Sequence, residues 1–305
     1  MKEIVVISGK GGTGKTSLTA SFAMMGASDV VLADCDVDAA DMHLLMQPDF
    51  ESSEDFYSGQ VAFIEQANCI NCGICMDVCR FDAVSVHNEE YTIAPLDCEG
   101  CSYCARVCPT ETIINKDLLV GELFVSNIKT GSKMVHAHLG IGADNSGKLV
   151  AKVKDEAKAL ALKHQKNYVL VDGSPGVGCP VISSLSGASF AVLVTEPTIS
   201  GIHDLKRVYE LVKKFNISAG CIINKADVNI KKQTEIKQFL AHEGIEHLMD
   251  LPYDEDFTKA MTLGQTIVEY EKKELAGLLE QAWEKIKELT NKKEENNEDS
   301  FYCCG

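Results

Sequence analysis

The chain has 305 residues, 45% of them hydrophobic, with 29 basic side chains against 45 acidic ones for a formal charge of −16, enough apolar content for one large or two smaller globular cores. The acidity excludes a nucleic-acid partner from the expectations, because non-specific nucleic-acid binding is driven by Lys and Arg displacing counterions. No apolar run approaches the roughly 20 residues of a membrane span, and Met1-Lys2-Glu3 runs into a strand without a secretory h-region, so cytoplasmic residence without stable membrane anchoring is expected.

The first predicted element is a strand, Ile4-Val5-Val6-Ile7, followed by Gly9-Lys10-Gly11-Gly12-Thr13-Gly14-Lys15-Thr16 and a helix expected from Lys15 to about Ala27. A glycine loop ending in Lys-Thr between a strand and a helix is the phosphate-binding P-loop in its required context. Its chemistry assigns parts to these residues. The backbone of Gly11, Gly12, Thr13 and Gly14 closes around phosphates, Lys15 reaches the β/γ oxygens, and Thr16 sets its hydroxyl on Mg²⁺. Further short apolar runs at Val30–Ala33, Tyr168–Val171, Phe190–Val194 and Cys221–Ile223 each end at polar or glycine-bearing residues, with helical stretches between them. That alternation predicts an α/β fold with a doubly wound, mostly parallel sheet.

Between about Gly59 and Lys116 the pattern changes to short strands and closely spaced cysteines. Eight of the 13 cysteines form two runs, Cys69-x2-Cys72-x2-Cys75-x3-Cys79 and Cys98-x2-Cys101-x2-Cys104-x3-Cys108-Pro109. Three thiolates two residues apart can wrap one face of an iron-sulfur cube, while the fourth cysteine of each run ligates the other cube. The expected sets are Cys69, Cys72, Cys75 with Cys108, and Cys98, Cys101, Cys104 with Cys79, holding two [4Fe-4S] clusters. A structural zinc site is the alternative, disfavoured because zinc takes separated ligand pairs. The runs repeat at a fixed offset, so residues 59–116 read as an inserted, internally duplicated module. The first run has Arg80 where the second has Pro109, and a cation beside that cube is expected to raise its potential.

Residues 118–141 read as strand or hairpin broken at Gly121, Gly131 and Gly140, and Ser146 to about His164 as a helix. A helical apolar stripe through Leu275, Leu278, Leu279, Ala282, Ile286 and Leu289 predicts a last helix packed on the core. Residues 291–305 are expected to be a disordered acidic tail ending in Cys303-Cys304-Gly305, whose thiols are either inert or metal-handling. Cys35, Cys179 and Cys221 are expected to be buried structural thiols, and His136, His138 and His203 show no metal-ligand spacing.

Lys10, directly after the first glycine of GKGGTGKT, resembles the deviant Walker A signature of the MinD/Mrp/ParA superfamily of P-loop ATPases, in which this lysine reaches across a dimer interface to the nucleotide of the other subunit. The resemblance extends to ADCDVDAADMH, where Asp36 matches the residue that orients the attacking water and Asp34 one that helps hold Mg²⁺. It continues at Asp172-Gly173-Ser174-Pro175-Gly176, like Walker B and switch II, and at Asn224-Lys225-Ala226-Asp227 and Pro252-Tyr253-Asp254, where relatives hold the base. It implies ATP with Mg²⁺, catalytic roles for Lys10, Lys15 and Asp36, metal contacts from Thr16, Asp34 and Asp172, and base contacts from Asn224 and Pro252. The domains implied are a MinD-like P-loop ATPase over 1–58 and 117–290 and a bacterial-type α+β 2[4Fe-4S] ferredoxin insert over 59–116. The leading expectation is a slow, partner-stimulated ATPase that couples the nucleotide state of a homodimer to electron transfer with a redox partner. The alternatives are a metallocluster assembly or carrier ATPase acting on a client protein, and a positioning ATPase with structural or sensing clusters.

Overall fold

The computed structural model describes residues 1–38, 40–140, 145–270 and 273–298, with side chains to residue 292. It divides into two compact units. One comprises Met1–Glu54, Leu123–His138 and the chain from Ser146; the other comprises Asp55–Glu122 and Leu139–Asn145, a wider span than the 59–116 expected for the insert.

The elements of the first unit follow the predicted alternation. They are β1 (Lys2–Ile7), α1 (Lys15–Met25), β2 (Val30–Asp34) and α2 (Met42–Met46), then, beyond the second unit, α5 (Ser146–Lys163), β8 (Tyr168–Asp172), α6 (Cys179–Leu185), β9 (Phe190–Thr195), α7 (Ile199–Lys214), β10 (Ser218–Ile223), α8 (Ile230–Glu243), β11 (Glu246–Asp250), α9 (Asp256–Thr262) and α10 (Lys273–Glu298). Strands β3 (Ser52–Ile64), β6 (Ile113–Asn127) and β7 (Lys133–Leu139) straddle the boundaries between the units. The sheet order is β11-β10-β9-β1-β8-β2-β7-β6-β3. β1 pairs in parallel with β8 and β9, β2 with β8 and β7, and β10 with β9 and β11.

The central strands β2, β8 and β9 are buried along their whole length, as expected where helices cover both faces of a parallel sheet. Alternation divides their side chains. Ile4, Val6, Leu32, Leu170, Phe190 and Val192 join a cluster with Leu18, Phe22, Leu279, Trp283 and Ile286 of α1 and α10. The alternate residues, such as Val5, Val31 and Val169, are equally buried on the other face, where α5 and α6 pack. Phe22 stacks on Trp283 at 5.6 Å between centroids, and Tyr168 meets Trp283 edge-on at 6.1 Å. Burying each such side chain stabilises by about 1.5–3 kcal/mol. Near β6 and β7, Phe50, Phe124 and His136 form an aromatic group with centroids 5.1–5.4 Å apart, and His136 Nε2 lies 2.9 Å from Ser126 Oγ. Burial, helped by the charge of His43, pulls the His136 imidazole down to about 4.

The last helix corrects one expectation. α10 continues to Glu298, so 291–298 is helical rather than a disordered tail. Cys303 and Cys304 lie outside the described residues.

The second unit contains α3 (Ile74–Asp77), the antiparallel hairpin β4 (Val84–His87) and β5 (Glu90–Ile93), and α4 (Tyr103–Val107). The cysteine repeat is mirrored in its backbone. Asn71 (φ 55°) and Gly100 (62°), Gly73 (77°) and Ser102 (62°), and Asp82 (52°) and Glu111 (53°) all adopt the left-handed region at matching places in the two runs. At Gly100 only glycine fits, since a Cβ would lie 2.1 Å from the Gln60 carbonyl oxygen.

Candidate nucleotide and iron-sulfur sites

The P-loop leaves the C-terminal end of β1, the edge at which open parallel sheets bind ligands. Gly14 (φ 89°) caps α1 in the left-handed region, and a Cβ there would lie 2.5 Å from Asn224 Nδ2. A side chain would therefore be both strained and obstructed. Asn224 Nδ2 donates to the Thr13 carbonyl oxygen at 2.8 Å, so the residue expected at the base fastens its loop to the P-loop.

The C-terminal ends of β2 and β8 bring carboxylates to Lys15. Its Nζ lies 2.9 Å from Oδ2 of Asp172, the last residue of β8, and 3.5 Å from Asp36 Oδ2, two residues past the end of β2. Thr16 Oγ1 and Thr19 Oγ1 each donate to Asp172 at 2.8 Å, and the Asp36 amide donates to Asp34 Oδ1 at 3.2 Å. Burial and the charge of Asp172 push Asp34 well above the usual carboxylate range, and burial raises Asp36 against the opposing Lys15. Burial alone would lower Lys15, but Asp172 and Asp36 outweigh it and raise it. Three carboxylates around one ammonium leave a surplus of negative charge and hard oxygen donors, a donor set that suits Mg²⁺. Among the described residues no three His, Cys, Asp or Glu side chains converge on a single-ion site. Mg²⁺ does not require that, being held through one or two carboxylates, waters and phosphates. Asp38 is exposed, while Asp36 is buried against Lys15.

The base-side segment is more open. Asp227 Oδ1 accepts the Tyr253 amide at 2.6 Å, tying the two predicted base loops together, and Pro252 is exposed. Lys10 Nζ contacts Glu196 Oε1 at 2.6 Å and Ser200 Oγ at 2.9 Å. Sequence reasoning missed Glu196. The signal available was its place immediately after β9, at the ligand-binding edge.

In the second unit the eight cysteines separate into two cavities. Cys69, Cys72, Cys75 and Cys108 line one, with Ile64, Tyr91 and Thr112. Cys98, Cys101, Cys104 and Cys79 line the other, with Ala62, Phe81 and Tyr103. Each run thus sends its last cysteine to the other run's cavity. Four thiols around each cavity match the ligand number of a [4Fe-4S] cluster. Burial raises Cys75 and Cys104. At Cys108 burial acts the same way, but hydrogen bonds from the Thr112 and Thr110 hydroxyls and amides outweigh it and bring the thiol to about 6. Arg80 follows Cys79 and lines a pocket with Phe81, Cys101 and Tyr103, so its charge belongs beside the second set, not the run that contains it.

Cys179 is exposed at the start of α6, which corrects the expectation of a buried thiol; Cys35 and Cys221 are buried, and burial raises both. No helix among the described residues is long and apolar enough to cross a membrane.

Residues 4–267 match the CobQ/CobB/MinD/ParA nucleotide binding domain. The chain belongs to this family. An uncharacterized protein from Methanocaldococcus jannaschii is 32% identical over 232 residues, covering 74% of this chain and 79% of its own. The septum site-determining protein MinD from Pyrococcus horikoshii, solved with Mg-ADP, shares the fold with a TM-score of 0.57 at 19% identity, over 95% of this chain and 97% of its own. An uncharacterized ferredoxin-like protein from Haemophilus influenzae is 32% identical over a short stretch of 63 residues, 19% of this chain and 73% of its own. As a member of this MinD/ParA-type family with an α/β, mainly parallel sheet, the chain carries a nucleotide-binding P-loop domain.

Proposed function

We propose that the chain is an ATP-binding and ATP-hydrolysing iron-sulfur protein in which the nucleotide state of a homodimer controls electron transfer through two [4Fe-4S] clusters. The observation that carries this reading is the pair of four-thiol cavities within a chain of a nucleotide-binding family. Short similarities to ferredoxin-like proteins support it.

When bound, the clusters supply reversible one-electron storage. Cys69, Cys72, Cys75 and Cys108 hold one, and Cys98, Cys101, Cys104 and Cys79 the other. In the nucleotide site, the amides of residues 11–14 cradle the phosphates, and Lys15 exchanges Asp172 and Asp36 for phosphate oxygens. Thr16, Asp34 and Asp172 hold Mg²⁺, Asp36 orients the attacking water, Asn224 and Pro252 hold the base, and Lys10 serves the neighbouring subunit's nucleotide. Coupling has a physical route. Loops that are held by γ-phosphate and Mg²⁺ contacts are released on hydrolysis, and the loop bearing Asp36 leads directly through α2 into β3.

One exposed thiol at each cavity, Cys72 and Cys101, favours a second reading, a metallocluster carrier or assembly ATPase whose clusters are passed to a client. Anaerobically purified protein is expected to contain about eight iron atoms per chain. MgATP is expected to change the midpoint potential or chelation rate of at least one cluster, a response absent in Lys15→Ala. Full iron content with potentials and chelation indifferent to MgATP would favour the carrier, and stoichiometric zinc in place of iron would reject both readings.

A further inference from the structure

The Glu196 carboxylate is mostly buried, with 12% of its side chain exposed, and it is shared by two lysines from different loops. Oε1 takes Lys10 Nζ at 2.6 Å, and Oε2 takes Lys225 Nζ at 3.0 Å. Lys10 is further held by Ser200 Oγ at 2.9 Å, in the first turn of α7, and Lys225 reaches the Gly12 carbonyl oxygen at 3.4 Å. Burial works against the Glu196 charge, yet the two lysines keep its carboxyl below the usual range.

We propose that Glu196 is a positioning residue that latches Lys10 onto its own subunit, so that MgATP-dependent pairing of two copies begins with release of this contact. The inference rests on the reading that Lys10 completes the partner copy's nucleotide site. Two of the three N–H donors of the Lys10 ammonium are taken by Glu196 and Ser200 of its own chain, so at most one is left for phosphates of another. The latch therefore sets how much free Lys10 is available.

The second lysine makes release feasible. Removing the sole partner of a mostly buried carboxylate would leave an uncompensated charge, a costly arrangement. Lys225 remains on Oε2 when Lys10 departs. It also links the latch to the bound nucleotide. Lys225 follows Asn224, which holds Thr13, and itself contacts Gly12, so a ligand at either the base or the phosphate end shifts the lysine that must compensate Glu196.

The test uses the full chain with MgATP, following dimerisation by analytical ultracentrifugation across protein concentration. Glu196→Gln keeps the side-chain shape but removes the charge, and is expected to dimerise at a roughly fivefold lower concentration, the scale of one modest ion pair. Glu196→Asp, which keeps the charge, falls between wild type and Gln. Lys10 in Glu196→Gln should also acylate faster with an amine reagent in the absence of nucleotide, read by mass spectrometry. A folded Gln variant that dimerises at the wild-type concentration or higher, with Lys10 no more reactive, overturns the latch. Lys10→Ala separates the two layers. If it pairs with MgATP as the wild type does, the reading beneath the latch fails; if it does not pair, that reading stands and the Glu196 variants decide.

Discussion

In the first unit, strands β2, β8 and β9 are buried end to end, and α1 and α10 close one face around Phe22, Tyr168 and Trp283. In the second, Ala62, Ile64 and Ile113 form a small buried cluster, and the side chains packed against it include Cys69, Cys75, Cys98, Cys104 and Cys108. The first unit is held by apolar area. The second places thiols where a larger domain would place leucines, and segments of its size draw on metals or disulfides when the core is too small to offset chain entropy. On the proposed reading, cluster binding would also supply part of the stability of the unit that carries these cysteines.

The strongest way to break this contrast is to remove the iron. Anaerobic chelation is expected to leave the melting transition of the first unit in place while residues 55–122 become open to limited proteolysis; protection of that segment after complete iron loss would refute a metal-dependent core. Next in size, Cys108→Ser is expected to lose the cluster of Cys69, Cys72 and Cys75 in preference to that of Cys98, Cys101 and Cys104, about four of eight irons, checked by iron content and electron paramagnetic resonance. In the first unit, Trp283→Ala should cost about 3–5 kcal/mol by leaving a cavity under α10. Urea unfolding monitors that loss, and iron per folded chain should stay at the wild-type level.

The smallest expected effect is a pH dependence. An unfolded histidine takes its proton near 6.5, whereas His136 does so in the folded chain only at about 4. Between those values the unfolded chain binds more protons, so stability falls on acidification and is unaffected above pH 6.5. The wild type should lose roughly 3 kcal/mol relative to His136→Gln between pH 7.5 and pH 4, measured by urea titration. A constant difference between the two proteins across that range would show that His136 is not held neutral by its surroundings.

The central sheet and the P-loop were legible because continuous apolar runs and a glycine loop are local signals. Tyr168–Val171 is expected as a strand and lies in β8 (Tyr168–Asp172). Strand β3 was not, because Ser52–Ile64 carries exposed and acidic residues along most of its length and only Ser58, Ala62 and Ile64 are buried. Cys179 misled through composition, since a lone thiol beside Pro180 carries no sign of exposure. Glu196 was missed for a different reason. Its meaning lies in a contact with Lys10 across 186 residues, which no window along the chain contains.

The crossed cysteines have a consequence for how this module can be altered. Each half of the duplication furnishes three walls of its own cavity and one wall of the other. Neither half is therefore a complete part. Cleaving the chain at the tight turn of Asn88 and Glu89 and discarding one piece leaves the remaining cavity a thiol short. Joining the module's own ends and reopening it at that same turn keeps every thiol. Each four-thiol cavity therefore depends on both halves of the duplication being present.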